Sequence, residues 1–279
     1  MNAPLTRRQF LSRTAATASG LWLAAPQILR AQSSLSANEK LNIGIVGAAG
    51  QGGFSIGQLK GIANLVALCD VDDTKLANAK QQFPEAKTYN DFRRLVDQRD
   101  LDAVVVATPD HTHAVASMAV LQSGRHLYCE KPLTRTVSEA RRVTETARTL
   151  KRVTQIGTQI HASGNYRRVV ELIKSDAVGE VSEVHVWVNN TYGGHSAPTD
   201  RPPVPQGLHW DLWLGPIPEQ PYHPQYAPFN WRNWWAFGGG SLADFGCHYM
   251  DLPFWALDLD HPVSVEAEGP PVHPDSTPP

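Results

Sequence analysis

The sequence is short of cysteine, has no excess of basic charge and, beyond residue 40, has no long apolar run. Each shortage excludes something. Cys69, Cys129 and Cys247 are an odd number of thiols placed inside other motifs, so they read as packing residues rather than a disulfide framework. The 25 basic side chains are matched by 27 acidic ones, for a net charge of −2, which leaves no basic field for nucleic acid. Nothing after residue 40 approaches the ~20 continuous apolar residues of a membrane span. No metal is expected, because the pair His111 and His113 lacks a Cys, Asp or Glu cluster at zinc spacing.

The first residues form a separate problem. Thr6-Arg7-Arg8-Gln9-Phe10-Leu11 matches the twin-arginine export pattern, and a mildly apolar run from Ala15 and a small residue, Ala31, follow. Residues 1–31 are therefore expected to be a twin-arginine signal segment, and the protein to be periplasmic or otherwise exported.

From Leu41 onward, short apolar runs alternate with helical periodicity. Strands are expected over 41–46, 65–69, 103–107, 126–129 and 153–156, with helices over 52–60, 74–82, 111–122 and 137–150 between them. Continuous β-branched runs separated by helices indicate a parallel sheet covered on both faces. Residues 40–158 thus read as a Rossmann-type, doubly wound α/β domain. The character changes after Gly157. A helix over 165–174 precedes 181–188, whose alternation suits an antiparallel strand with one wet face. A long stretch rich in Pro and aromatics then leads to a helix over 241–257, within a second domain spanning 159–279.

Gly47, Gly50 and Gly52, with Gln51 among them, form a G-x-x-G-x-G turn between the first strand and its helix. Such a turn lets a pyrophosphate approach backbone N–H groups at a helix N-terminus. Asp70 ends the next strand, where a carboxylate binds a ribose 2′-OH and disfavours a 2′-phosphate, so NAD is expected over NADP. Lys131, in Glu130-Lys131-Pro132, ends another strand and would project into the same crevice. Gln159 follows the last strand and is a further candidate for cofactor or substrate contact. Asp244 and His248 lie four residues apart, on one face if that segment is helical, and can then hydrogen-bond. Seven of the eight tryptophans fall between Trp187 and Trp255. Most are core, but Trp210, Arg232 and Trp235 are candidates for a sugar platform, since apolar sugar faces stack on aromatic rings.

A nucleotide turn, a lysine and an Asp/His pair in that order resemble the glucose–fructose oxidoreductase and inositol dehydrogenase family, Gfo/Idh/MocA, from about Leu41 to Leu257. The resemblance implies that the second domain carries an open antiparallel sheet, here partial, because family members continue further and the chain looks C-terminally truncated. It places Thr108, Pro109 and His113 near the nicotinamide-side ribose, makes Lys131 the active-site lysine with Glu130 orienting it or contacting the nicotinamide side, and gives Asp244 and His248 the proton transfer. His161 and Tyr166 become candidate substrate contacts. The implied function is NAD(P)-dependent oxidation of a sugar or polyol with tightly bound cofactor, in a homo-oligomer. NAD-dependent glycoside hydrolysis and non-catalytic nucleotide or sugar binding are the alternatives. Which of Lys131 and His248 is the base stays open.

Overall fold

The five expected apolar runs all become strands of one sheet. The structure is a computed structural model that describes residues 39–189, 191–269 and 271–277. Residues 1–31, expected to be a twin-arginine segment, lie outside the described residues. Residues 41–279 form one compact unit. Its sheet comprises β1 (Asn42–Val46), β2 (Asn64–Cys69), β3 (Lys87–Tyr89), β4 (Ala103–Val106), β5 (His126–Glu130) and β6 (Thr154–Gly157). The order is β3-β2-β1-β4-β5-β6, and every pairing is parallel. Chain order reverses between β1 and β4, so the carboxyl ends of those strands open a crevice.

Helices α1 (Gln51–Leu59), α2 (Asp73–Gln82), α3 (Phe92–Val96), α4 (Asp110–Gln122) and α5 (Val137–Thr149) connect the strands. Successive side chains of a strand point to opposite faces, which divides the core in two. Val104 and Val106 of β4 pack with Val120, Leu127 and Val143 on one side. Val105 packs with Ile45, Ile56 and Leu68 on the other. Helix starts follow from local chemistry. Asp72 caps α2 by accepting from Thr74 and Lys75 N–H, and Thr136 with Glu139 forms a capping box on α5. The short β3 and α3 were not evident in the sequence.

Beyond β6 the chain forms α6 (Gly164–Lys174), α7 (Trp210–Leu214), α8 (Gly240–Tyr249) and α9 (Asp251–Ala256). Two expectations are corrected here. The single helix over 241–257 is two, because Pro253 has no N–H and its ring excludes the carbonyl of Tyr249 from the helical ladder. Residues 181–188 form no strand, and Val184, Val186 and Trp187 are exposed. A strand is defined by its partner, and the described residues supply none. No antiparallel sheet forms among them. A third core gathers Trp213, Leu214, Trp231, Trp234 and Phe237 around the loops before α8.

Candidate active site

The glycine turn is built by steric necessity. Gly47 has φ +86° and donates to the Cys69 carbonyl at 2.8 Å. A Cβ there would stand 2.5 Å from the Ala107 carbonyl oxygen, and one on Gly52 would stand 1.7 Å from that of Gly47. Only glycine lets β1, β4 and α1 approach this closely, and the approach aims the first N–H groups of α1 into the crevice. Asp70, just past β2, accepts from the N–H groups of Ala48 and Asp72 at 3.0 Å each. Burial pushes its carboxyl above the usual range.

The crevice widens into a cleft of about 1510 Å³. Gly47, Gly50, Gln51, Asp70, Thr108, Pro109, His113, Glu130, Lys131 and Gln159 line it, and so do Asp244, His248 and Arg232. Gly52 lies behind the turn. Residues separated by up to 201 positions in sequence therefore share one cavity wall, from Gly47 to His248.

Lys131 follows β5 and enters the cleft through a cis Lys131–Pro132 peptide. Its ammonium donates to Asp244 Oδ1 at 2.5 Å and to the Asp244 carbonyl at 2.9 Å. Arg232 stands on the other oxygen, with Nε 3.2 Å from Oδ2. Burial pushes the Asp244 carboxyl up, but the Lys131 hydrogen bond and the Arg232 charge outweigh it and hold the group below the usual carboxylate range. Asp244 thus serves two cations rather than the imidazole one turn along its helix. His248 Nδ1 is buried without a hydrogen-bond partner. Burial, then the Lys131 charge, lowers the His248 pKa and favours its neutral form.

Four more polar atoms on this wall are buried without a hydrogen-bond partner: Thr108 Oγ1, Glu130 Oε2, His113 Nε2 and Arg232 Nε, the last meeting Asp244 as an ion pair alone. His113 Nδ1 lies 2.7 Å from the Pro132 carbonyl, which can only accept, so Nδ1 carries a proton and donates. Burial raises the Glu130 carboxyl. Buried polar groups without partners are rare, and several along one cleft fit a ligand rich in donors and acceptors, as a dinucleotide is.

Asp110 is the buried first residue of α4, on the cleft wall, with its pKa pushed up to about 6 by burial. Its position directly after Thr108-Pro109 was the available signal. His111 faces away from metal chemistry, with Nε2 2.8 Å from the Trp213 carbonyl and burial lowering its pKa to about 4. The thiols of Cys69, Cys129 and Cys247 are all pushed up by burial, as packing residues require.

Of the expected substrate contacts, the structure brings only Arg232 into the cleft. His161 pairs with Asp251 at 2.8 Å and stacks on Trp255. The Tyr166 hydroxyl donates to the His248 carbonyl at 3.0 Å. The Trp210 indole donates to Gln220 and stacks on Trp213, and that of Trp235 donates to His273. None of these four side chains lines the cleft. Phe229, Trp231 and Phe245 supply the aromatic wall instead.

A loop closes the far end of the cleft. Gly207 accepts from Asp73 N–H at 2.9 Å, His209 N–H donates to Val71 at 2.9 Å, and the His209 imidazole lies 3.1 Å from Asp73 Oδ1. Residues 205–209 are thereby strapped to the turn after Asp70. Pro205, Gln206 and Leu208 line the cleft opposite that carboxylate.

Sheet order, glycine turn and cleft define a dinucleotide-binding α/β protein whose groove ends on a lysine–carboxylate cluster beside a free imidazole. Comparison with known proteins narrows the class. The oxidoreductase family's NAD-binding Rossmann fold matches residues 41–158, and its C-terminal alpha/beta domain matches residues 173–278. The inositol 2-dehydrogenase of Salmonella typhimurium is 29% identical over 177 residues, 62% of this chain and 51% of that protein. The levoglucosan dehydrogenase of Pseudarthrobacter phenanthrenivorans is 24% identical over 230 residues, 77% of this chain and 50% of that protein. The chain spans about half the length of the curated relatives it matches. The crystal structure of GenD2 from gentamicin A biosynthesis, in complex with NAD, shares the fold with a TM-score of 0.58 and 19% identity, over 80% of this chain and 55% of that one. The chain belongs to the Gfo/Idh/MocA oxidoreductase family.

Proposed function

We propose that the protein is an NAD-dependent oxidoreductase that oxidises a CH–OH group of a sugar or polyol. The observation that carries this reading is the meeting of Lys131 and His248, 117 residues apart in sequence, at the end of a groove headed by the glycine turn. NAD, when bound, supplies the hydride acceptor. Gly47, Gly50 and Gln51 would hold its pyrophosphate, with Gly52 behind them setting the turn, Asp70 its ribose, and Thr108, His113, Glu130 and Gln159 its nicotinamide half. Loss of hydride from carbon requires loss of the O–H proton. His248, neutral and with Nδ1 unengaged, takes that proton. Lys131, paired with Asp244 at 2.5 Å, stabilises the oxygen as it becomes an alkoxide. Two named relatives are dehydrogenases of inositol and of levoglucosan, which supports a polyhydroxylated substrate. Residues 40–158 form the NAD domain in this reading, 159–279 the substrate domain, and 1–31 an export segment.

Anaerobic mixing with a panel of sugars and polyols should raise absorbance at 340 nm with NAD and far less with NADP. An equal response to NADP would remove Asp70 as the discriminating residue, and no response to any member would remove the activity.

An exported enzyme meets no pool of NAD, so the cofactor stays bound through turnover. The strap over residues 205–209 supports this retention. His209→Pro deletes the N–H bond to Val71 and the imidazole pair with Asp73, at a φ of −81° that proline tolerates. Losing the backbone bond together with this exposed pair should speed NAD release severalfold. Stopped-flow displacement measures it, and an unchanged release rate would show that the strap holds nothing.

A further inference from the structure

Arg232 sits in a position that substrate binding does not explain. It belongs to a short turn, Asn230–Asn233, that is fixed from behind, since Thr277 N–H donates to the Asn233 carbonyl at 2.8 Å and Ser276 Oγ donates to it at 3.1 Å. The guanidinium carbon stands 4.0 Å from the Trp231 ring centroid, 5.0 Å from that of Phe229 and 5.9 Å from that of Tyr192. The guanidinium is shared between two acceptors: Nη1 donates to the Phe229 carbonyl at 3.4 Å, and Nε forms an ion pair with Asp244 Oδ2 at 3.2 Å. Lys131 takes the other oxygen.

That arrangement settles a competition. Asp244 and His248 are one helical turn apart on α8, the spacing at which a carboxylate and an imidazole pair. They do not pair here, because both carboxylate oxygens are engaged by cations from elsewhere in the chain. We propose that Arg232 is a positioning residue that holds Asp244 away from His248 and so keeps His248 a free, neutral base. The inference rests on His248 as proton acceptor but adds a residue and a cause that this role does not require.

The electrostatic setting of His248 is known from every side. Lys131 approaches from the end of β5, Asp244 lies one turn before it, Asp251 one residue into α9, and the Tyr166 hydroxyl of α6 is bound to its backbone carbonyl. Asp110, Arg232 and the Tyr192 hydroxyl, which also meets the carboxylate, surround Asp244. Without Arg232, Oδ2 is released and the carboxylate turns to the imidazole. A carboxylate at hydrogen-bonding distance stabilises imidazolium and raises its pKa by about one unit or more. His248 works as a base only above its pKa, so the acidic limb of the rate profile would move to higher pH.

The test uses the NAD-bound protein with Arg232→Met and Arg232→Lys. The His248 ring is followed by nuclear magnetic resonance in histidine-labelled protein, assigned with His248→Gln, and the pH profile of kcat/KM is recorded beside it. The expected result is an imidazole pKa raised by about one unit in Arg232→Met, hence about tenfold less rate on the acidic limb and a smaller loss at high pH. Arg232→Lys should restore part of the shift, since a cation returns without the fork. In an Asp244→Asn background, Arg232→Met should leave the imidazole where it was. An unmoved imidazole with a uniform loss of rate at all pH would overturn the proposal and leave Arg232 a packing or substrate-binding group. If Arg232→Met does not fold, the Arg232→Lys titration decides alone, and no rise there overturns it. A wild-type profile with no acidic limb would instead refute His248 as the base.

Discussion

Lys131→Met is expected to lower turnover at least ~10²-fold while leaving NAD affinity nearly unchanged, the usual scale for losing an electrostatic partner of the reacting oxygen. The side chain is nearly buried and makes both its contacts with Asp244, so its removal strips the cleft of the charge nearest the proposed alkoxide. The nucleotide turn, on the far side of β4, is untouched. His248→Gln should cost a similar factor through loss of the base. Asp244→Asn acts differently from a substitution that misaligns the imidazole, because Asp244 is the shared counter-ion of Lys131 and Arg232. It leaves two partly buried cations uncompensated, and should destabilise the fold as well as slow the reaction. Steady-state kinetics, isothermal titration with NAD and thermal melting separate the three. Full activity in Lys131→Met would make the lysine a structural ion pair.

Gly52→Ala is expected to weaken NAD binding by ~10²-fold or more and to lower Tm by several degrees, the scale of forcing one methyl into a packed backbone contact. The added carbon would stand 1.7 Å from the Gly47 carbonyl oxygen, an impossible contact. The turn must open or α1 must withdraw, and either moves the N–H groups that would hold the pyrophosphate. Gly57→Ala is the internal control. It lies on the same helix and its new methyl meets nothing within 4 Å, so the better helix propensity of alanine should leave affinity alone and stability slightly raised. Unchanged NAD affinity in Gly52→Ala would separate the turn from the cofactor.

The strands and the glycine turn were legible because both signals are local. Ala103-Val-Val-Val106 can only be a buried strand, and glycines at 47, 50 and 52 after such a strand mark a close backbone approach. Lys131 was legible for the same reason, as the residue leaving the end of β5. The partner of Asp244 was not. Helical spacing says that Asp244 and His248 share a face, but the carboxylate goes to the stronger electrostatic claim, a lysine 113 positions away. The aromatic run before α8 was visible as composition, yet which rings reach the cleft is set by how the loops fold: Trp231 lines it, and Trp210 and Trp235 do not. The alternation over 181–188 describes a strand's pattern without its partner. The strap at 205–209 has no sequence signature, being made of backbone bonds to residues 71–73.

The central claim is that hydride leaves a substrate carbon for NAD in this cleft. A polyol found active in the 340 nm panel, deuterated at its reacting carbon and mixed anaerobically with the NAD-bound full-length protein, tests it in one turnover. The account predicts one deuterium in the reduced cofactor by mass spectrometry, at a rate at least ~10²-fold lower in Lys131→Met and in His248→Gln. Reduced cofactor without deuterium, or labelling at the wild-type rate in both variants, would contradict it.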